Sequence, residues 1–306
     1  MRRITELTYY AGTGESFILP LVRPTVRGID PPMLLSLLLS LAAPVQAEPL
    51  RVGTYSYPRY DRRIALGPIA ALAGRIARRP AEIVLLPTPT ALAEALCKGE
   101  VDVAMTNLGA FVEVRDCPNL RAIAVLDTPP PVLDRYRGVL LVRRETGIDT
   151  LDTLGKRASG LRYSEVLPGS TSGGLVQAEA LRSAGSAPSA FATRRMAGTH
   201  EAALADLIEG RADVAALTED PWRRLQASDP AKAASLRPIW RSAPLPPGPV
   251  VCREGPATPC AEIQAALLGT EGGATAVALA AGWSEADGAT RFMAYDRARY
   301  AAFRTR

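Results

Sequence analysis

The chain is poor in the residues that most chemistry requires. Its 306 residues include one histidine, His200, and four cysteines, and aromatic residues make up 6%. It contains no GxSxG elbow, no GxxxxGK[ST] phosphate loop, no GxGxxG turn and no HExxH pair. Those absences remove the commonest hydrolase, nucleotide-binding and metalloprotease signatures. A Ser172–His200–Asp220 triad can be written down, but its acid follows the histidine and nothing activates the serine, so it is rejected. No CxxC spacing exists and the lone histidine is far from every cysteine, which argues against a zinc site. No cofactor is called for.

Concentrated charge is also missing. The net charge is +5, spread over pairs such as Arg143-Arg144, Arg194-Arg195 and Arg223-Arg224 with acids nearby. No basic run interleaves with aromatics, so nucleic acid is not an expected partner. The longest apolar run, Leu34 to Ala43, is shorter than the roughly 20 residues a membrane span needs.

That run instead fits a secretory signal over 33–47. It ends in small residues, Val45 and Ala47, that suit cleavage before Glu48. The 32 residues before Met33 are long for a signal's basic segment, and Met33 is the alternative start. Residues 1–47 are read as a leader outside the fold, and the mature protein as exported and not membrane-spanning. In an oxidising compartment the cysteines are expected to pair. Proximity favours Cys97–Cys117 and Cys252–Cys260 over the other two connectivities.

The full sequence has 47% hydrophobic and 22% charged residues, and its mature part alternates strand-like and helix-like segments. Strands are expected at Leu50–Thr54, Glu82–Leu86 and Val101–Met105, then in "LRAIAVL" and "GVLLVRR". Helices are expected at Leu66–Arg78 and in "TALAEALCKG". The order recurs: a strand around Lys156–Leu161, a helix over Gly173–Ala184, the strand "FATRRM", the helix "HEAALADLIEG" and the strand Ala212–Leu217. Two phrases rhyme, "LAEALCKGEVDVAM" and "ALADLIEGRADVAAL". Each is a helix stopped by glycine, Gly99 or Gly210, that feeds a buried strand. Alternation of this kind implies parallel sheets, and the near-repeat implies two similar α/β lobes with a ligand cleft between them. Lobe one is assigned 48–137 plus 240–306, and lobe two 138–239.

Four stretches can carry binding. In "PGSTSGG", Ser170, Thr171 and Ser172 stand between glycines at the start of a helix. Hydroxyls, free backbone N–H groups and the positive end of the helix dipole together make an anion site without formal charge. His200 opens the next helix, where a neutral imidazole can donate to an oxyanion. Thr218, Glu219 and Asp220 end a buried strand, where side chains point into the crevice of an α/β sheet. Tyr55, Tyr57 and Tyr60 follow the first strand and offer rigid walls and hydroxyls.

Taken in order, "ALCKGEVDVA", "TGIDTLDTLGKR", "PGSTSGG", "AGTHEAALADLIEGRADVAALTED", "RPIWRSAPLPPGPVVCRE" and "YDRARYAAFR" resemble the periplasmic substrate-binding proteins of phosphonate, phosphate and phosphite ABC transporters. The resemblance implies a two-lobed periplasmic-binding-protein (Venus flytrap) α/β fold, each lobe a mostly parallel sheet flanked by helices. It implies a non-enzymatic receptor that takes a small phosphorus oxyanion to an inner-membrane ABC permease. By the same resemblance, Ser170, Thr171 and Ser172 grip the phosphoryl oxygens, joined by His200, Glu219 and a tyrosine, here assigned to Tyr57. Two departures stand out. Where aminophosphonate binders carry an aspartate in a Pro-x-x-Pro turn, this chain has Gly248, and the turn "TNLGAF" lacks an expected tyrosine. Both argue against an amine-bearing phosphonate. The alternatives are the same fold used as a solute-sensing or accessory protein for a signalling or redox partner, or a transferase.

Overall fold

The computed structural model describes residues 48–303, so the leader expected at 1–47 lies outside the described residues. The first half runs β1 (Leu50–Tyr55), α1 (Arg62–Ala77), β2 (Ala81–Leu86), α2 (Pro89–Lys98), β3 (Val103–Met105), α3 (Leu108–Val114), β4 (Leu120–Leu126) and α4 (Pro130–Arg135). The chain then enters a second sheet with β5 (Gly138–Arg143), α5 (Leu151–Arg157), β6 (Arg162–Glu165), α6 (Val176–Ser183), β7 (Thr193–Met196), α7 (His200–Ile208), β8 (Val214–Thr218), α8 (Glu219–Ser228), α9 (Pro230–Ala234) and β9 (Leu236–Arg241). It returns through β10 (Val250–Arg253), α10 (Cys260–Leu268), α11 (Gly272–Ala280), β11 (Phe292–Met293) and α12 (Arg297–Tyr300). No helix among the described residues is long and apolar enough to cross a membrane.

The two sheets share a plan. Lobe one has the order β2-β1-β3-β10-β4-β11, and lobe two β7-β6-β8-β5-β9. In each, the fourth position belongs to a strand arriving from the other lobe, and that strand runs antiparallel to both neighbours. Strands β1 to β4 therefore point one way, as do β6 to β9, with β5 and β10 reversed. The mostly parallel sheets expected from sequence hold in the direction of β1 to β4 and of β6 to β9, although half of lobe two's four pairings and three of lobe one's five are antiparallel, through β5, β10 and β11.

Strand β5 shows why a crossing strand reads as an unbroken apolar run. Val139 and Leu141 join one buried cluster with Leu204, Leu207 and Leu217. Leu140 and Val142 join the cluster on the opposite face with Leu154, Tyr163 and Leu181. A strand covered on both faces has no polar side to show.

The rhyme seen in sequence has a physical partner in each lobe. Arg51 on β1 donates its backbone N–H to Asp102 Oδ2 at 2.8 Å and its Nη2 to Oδ1 at 2.9 Å, and also reaches the carbonyl of Gly99. Arg162 on β6 repeats this with Asp213, at 2.9 and 2.7 Å, and with the carbonyl of Gly210. Gly99 and Gly210 take positive φ, 77° and 71°, the left-handed cap that ends each helix. The Arg162 guanidinium holds the Asp213 carboxyl below the usual carboxylate range.

Three local expectations are corrected. Helix α1 starts at Arg62 rather than Leu66, because Asp61 Oδ1 accepts from the N–H of Ile64 and caps it there. The strand expected at Lys156–Leu161 is helix α5 followed by a 3₁₀ turn over Ala158–Gly160, and the strand begins at Arg162. Thr150 caps α5 by accepting from the N–H of Thr153, and Asp152 pairs with Lys156 one turn on, so local helix signals win. Strand β9 runs to Arg241, two residues past the boundary assigned to lobe two, and still pairs with β5.

Both cysteine pairs are disulfides as proximity favoured. Cys97–Cys117 ties α2 to the turn before β4, and Cys252–Cys260 ties β10 to the start of α10, with Cα atoms 5.6 and 5.9 Å apart.

Candidate functional site

The turn "PGSTSGG" enters its helix in an unusual way. Thr171–Leu175 form one wide π turn that continues into α6, with Gly173 at φ −132°, ψ 25° marking the kink. The N–H of Leu175 bonds the carbonyl of Ser170 at 2.8 Å, five residues back. The first N–H groups of a helix have no acceptor within it. The Ser170 side chain does not cap them. Ser170, Thr171 and Ser172 are nonetheless buried. Hydroxyls and N–H groups are thus held together, out of bulk water, at the positive end of a helix. Gln177 fixes the turn from behind, donating to the carbonyl of Ser172 at 2.7 Å. Gly173 is required by close approach, since a Cβ there would lie 2.4 Å from Val166 Cγ2 and 2.9 Å from His200 Cε1.

His200 is the first residue of α7, behind the Thr199 cap. Its Nδ1 accepts from the backbone N–H of Thr218 at 2.9 Å. The proton of the neutral ring therefore sits on Nε2, which becomes a donor. Burial, with help from Arg59 and Arg224, lowers the imidazole pKa to about 3, so the ring stays neutral across the physiological range.

Lobe one closes over these groups. Asn107, the cap of α3, accepts from the N–H of Ala110 with Oδ1 and donates Nδ2 to the carbonyl of Gly169 at 2.9 Å. The N–H of Gly109 donates to Thr171 Oγ1 at 2.9 Å. A Cβ on Gly109 would come within 2.1 Å of the Gly169 carbonyl oxygen, so only glycine permits this approach. Tyr57 accepts from the backbone N–H of His200 at 3.3 Å, and burial pushes its hydroxyl up to about 12. Outside, Arg59 pairs with Glu201 across the cleft. What remains between the lobes is a cavity of about 80 Å³ that reaches Ser170–Ser172, His200 and Tyr57. That is room for a few waters or one small tetrahedral ion.

Five of the six residues expected at the site, Tyr57, Ser170, Thr171, Ser172 and His200, line this one cavity. Glu219 does not, and its expected place in the site is corrected. Its carboxylate is buried against Arg223, 3.1 Å away, and Arg241 at the end of β9. As the first residue of α8 it turns back toward the sheet, and the next residue, Asp220, edges the cavity while paired with Arg224.

Sequence reasoning missed Asn107, Tyr136, Arg62 and Glu285, all of which line the cavity. The buried Tyr136 hydroxyl faces those of Ser172 and Thr171. It stands just before the crossing strand β5, a position that offered a signal once the lobes were recognised. Glu285 offered none, lying in a short 3₁₀ turn far along the chain. The departure at Gly248 acquires a cause. A Cβ there would be 2.2 Å from the Thr106 carbonyl oxygen and 2.5 Å from Asn107 Cα. No side chain fits between the Pro-Pro-Gly-Pro turn and the strand end that carries Asn107.

Two α/β lobes, joined by crossing strands and shut on a small cavity at helix N-termini, define a solute-binding protein. The family described as "ABC transporter, phosphonate, periplasmic substrate-binding protein" matches residues 64–300, and the chain belongs to that family. The family consists of periplasmic substrate-binding components rather than enzymes. The chain is 28% identical over 119 residues to the phosphonates-binding periplasmic protein of Escherichia coli (strain K12), a match covering 39% of this chain and 35% of that protein. It therefore spans about a third of that relative's length. The fold is that of PhnD1 from Prochlorococcus marinus (MIT 9301), solved with methylphosphonate: TM-score 0.59 at 18% identity, covering 82% of this chain and 94% of that one. XAC2383 from Xanthomonas citri, solved with chloride, gives a TM-score of 0.63 at 21% identity over 82% and 92% of the two chains.

Proposed function

We propose that the protein is an exported receptor that captures a small phosphorus oxyanion between its lobes and presents it to an inner-membrane ABC permease. The observation that carries this reading is the uncapped helix start at Ser170–Ser172, buried and facing a cavity with His200 poised as a neutral donor. Phosphoryl oxygens would accept from the turn's N–H and hydroxyl groups and from His200 Nε2, while Asn107 and Gly109 hold lobe one shut. The family's phosphonate role and the methylphosphonate in a structural neighbour support the same ligand class. The family supports both delivery to a permease and a periplasmic location. No covalent step is required of any residue.

Titration calorimetry with methylphosphonate, aminoethylphosphonate, phosphite and phosphate tests the reading. Binding of at least one, with the amine-bearing ligand disfavoured, is expected. Absence of heat with all four overturns it.

A further inference from the structure

The cavity contains a group that an anion site should exclude. Glu285 is 7% exposed and lines the same space as Ser170–Ser172 and His200. A carboxylate beside a doubly charged oxyanion in a dry cavity would repel it. Glu201 and Asp220, the other acids at the cleft, lie toward the surface and are paired with arginines. Glu285 has no such partner. The nearest influential cation is Arg62, whose Nε and Nη1 already donate to the carbonyls of Gly282 and Tyr55. The face of that guanidinium lies 4.0 Å from the Tyr55 ring centroid and 4.3 Å from that of Trp283. Tyr55, Tyr57 and Tyr136 are the other titratable groups that feel the Glu285 charge. Burial raises the carboxyl above its ordinary range, with Arg62 opposing.

We propose that Glu285 is the specificity-determining residue of the cavity: its carboxyl shares one proton with the bound oxyanion. The site then accepts ligands with an ionisable hydroxyl on the central atom and refuses sulfonates of the same shape, which are fully dissociated. The proton balance is definite. A monoanionic ligand brings the proton itself and donates it in a hydrogen bond to the carboxylate. A dianionic ligand binds with uptake of one proton from solvent, held between ligand oxygen and Glu285. A sulfonate brings none, and its weakly basic oxygens do not retain one. This inference rests on reading the cavity as an oxyanion site.

The test is calorimetry of the purified protein with methylphosphonate and methanesulfonate, run at pH 8.5 in buffers of different ionisation enthalpy, to count protons. The wild-type protein is expected to prefer methylphosphonate by about 100-fold or more and to take up close to one proton. Glu285→Gln should lose at least tenfold of that preference by gaining methanesulfonate affinity, and should lose the proton uptake. Glu285→Asp should restore both in part, and a thermal scan of each variant shows that it is folded. A Glu285→Gln variant that keeps both preference and proton uptake overturns the proposal while leaving the oxyanion reading intact. A wild-type protein that binds neither compound, nor phosphite or phosphate, overturns the oxyanion reading and this proposal with it.

Discussion

The backbone N–H of Thr218, the last residue of β8, donates to Nδ1 of His200, the first residue of α7, at 2.9 Å. A strand end thereby decides which nitrogen of the only histidine carries its proton. That tautomer turns a titratable ring into a fixed donor.

The same burial makes His200 an acid-sensitive point. The unfolded chain takes up this proton below about pH 6.5. The folded protein resists until about pH 3. Between those values the unfolded state binds more protons, so stability falls as pH falls. The contribution is complete above pH 6.5 and is reduced by on the order of 1–2 kcal/mol at pH 5, allowing for partial exposure of the residue. Thermal scans from pH 7.5 to 4.5 should show a shallower acid decline in His200→Gln than in the wild-type protein.

Removing hydroxyls from the helix start should separate binding from folding. Each charge-assisted hydrogen bond is worth about 1.5–3 kcal/mol. Ser172→Ala is therefore expected to weaken binding of methylphosphonate, or of whichever panel member binds best, by tenfold or more with little change in Tm. Thr171→Ala should do more, because Thr171 Oγ1 also accepts the Gly109 N–H that holds lobe one in place. Calorimetry gives the affinities, and dissociation rates should show the larger rise for Thr171→Ala.

Placing an acid at Gly248 should fail. Gly248→Asp would place its Cβ within 2.2 Å of the Thr106 carbonyl oxygen. Overpacking of this kind costs about 1–3 kcal/mol. A Tm drop of a few degrees is expected, with no gain in affinity for aminoethylphosphonate. A stable variant that gains such affinity would show that the turn can move away from Thr106.

The disulfides should matter unequally. In a chain-entropy account a cross-link closing 20 residues stabilises by about 3 kcal/mol, and a shorter loop by less. Cys97–Cys117 spans 20 residues and Cys252–Cys260 spans 8. Cys97→Ser with Cys117→Ser should lower Tm more than Cys252→Ser with Cys260→Ser, as read by scanning calorimetry under non-reducing conditions.

Legibility in the sequence followed the range of the interactions. The caps at Gly99 and Gly210, the buried strands beside them and the helix start after Ser170–Ser172 rest on neighbours in sequence, and all were readable. The Arg51–Asp102 and Arg162–Asp213 forks were not, because each arginine lies 51 residues from its acid. Glu219 misled because its position at a strand end pointed to the crevice, whereas Arg241, brought near by β9, draws its carboxylate away. Asn107 and Tyr136 gain their roles only when the lobes meet. Glu285 reaches the cavity from a turn that no local pattern marks.

Strands β5 and β10 bear on how the molecule can be divided. Each is inserted between strands of the lobe it joins, β5 between β8 and β9, β10 between β3 and β4. Cutting the chain after residue 137 would leave the amino-terminal fragment with an open slot where β10 belongs and two unpaired strand edges beside it. Lobe one is therefore built from two stretches of chain on either side of lobe two, whose five strands lie in one continuous stretch. A circular permutant opened at the surface loops of one lobe preserves both insertions, whereas a split at either crossing parts β10 and β11 from the rest of lobe one's sheet and leaves the five strands of lobe two together.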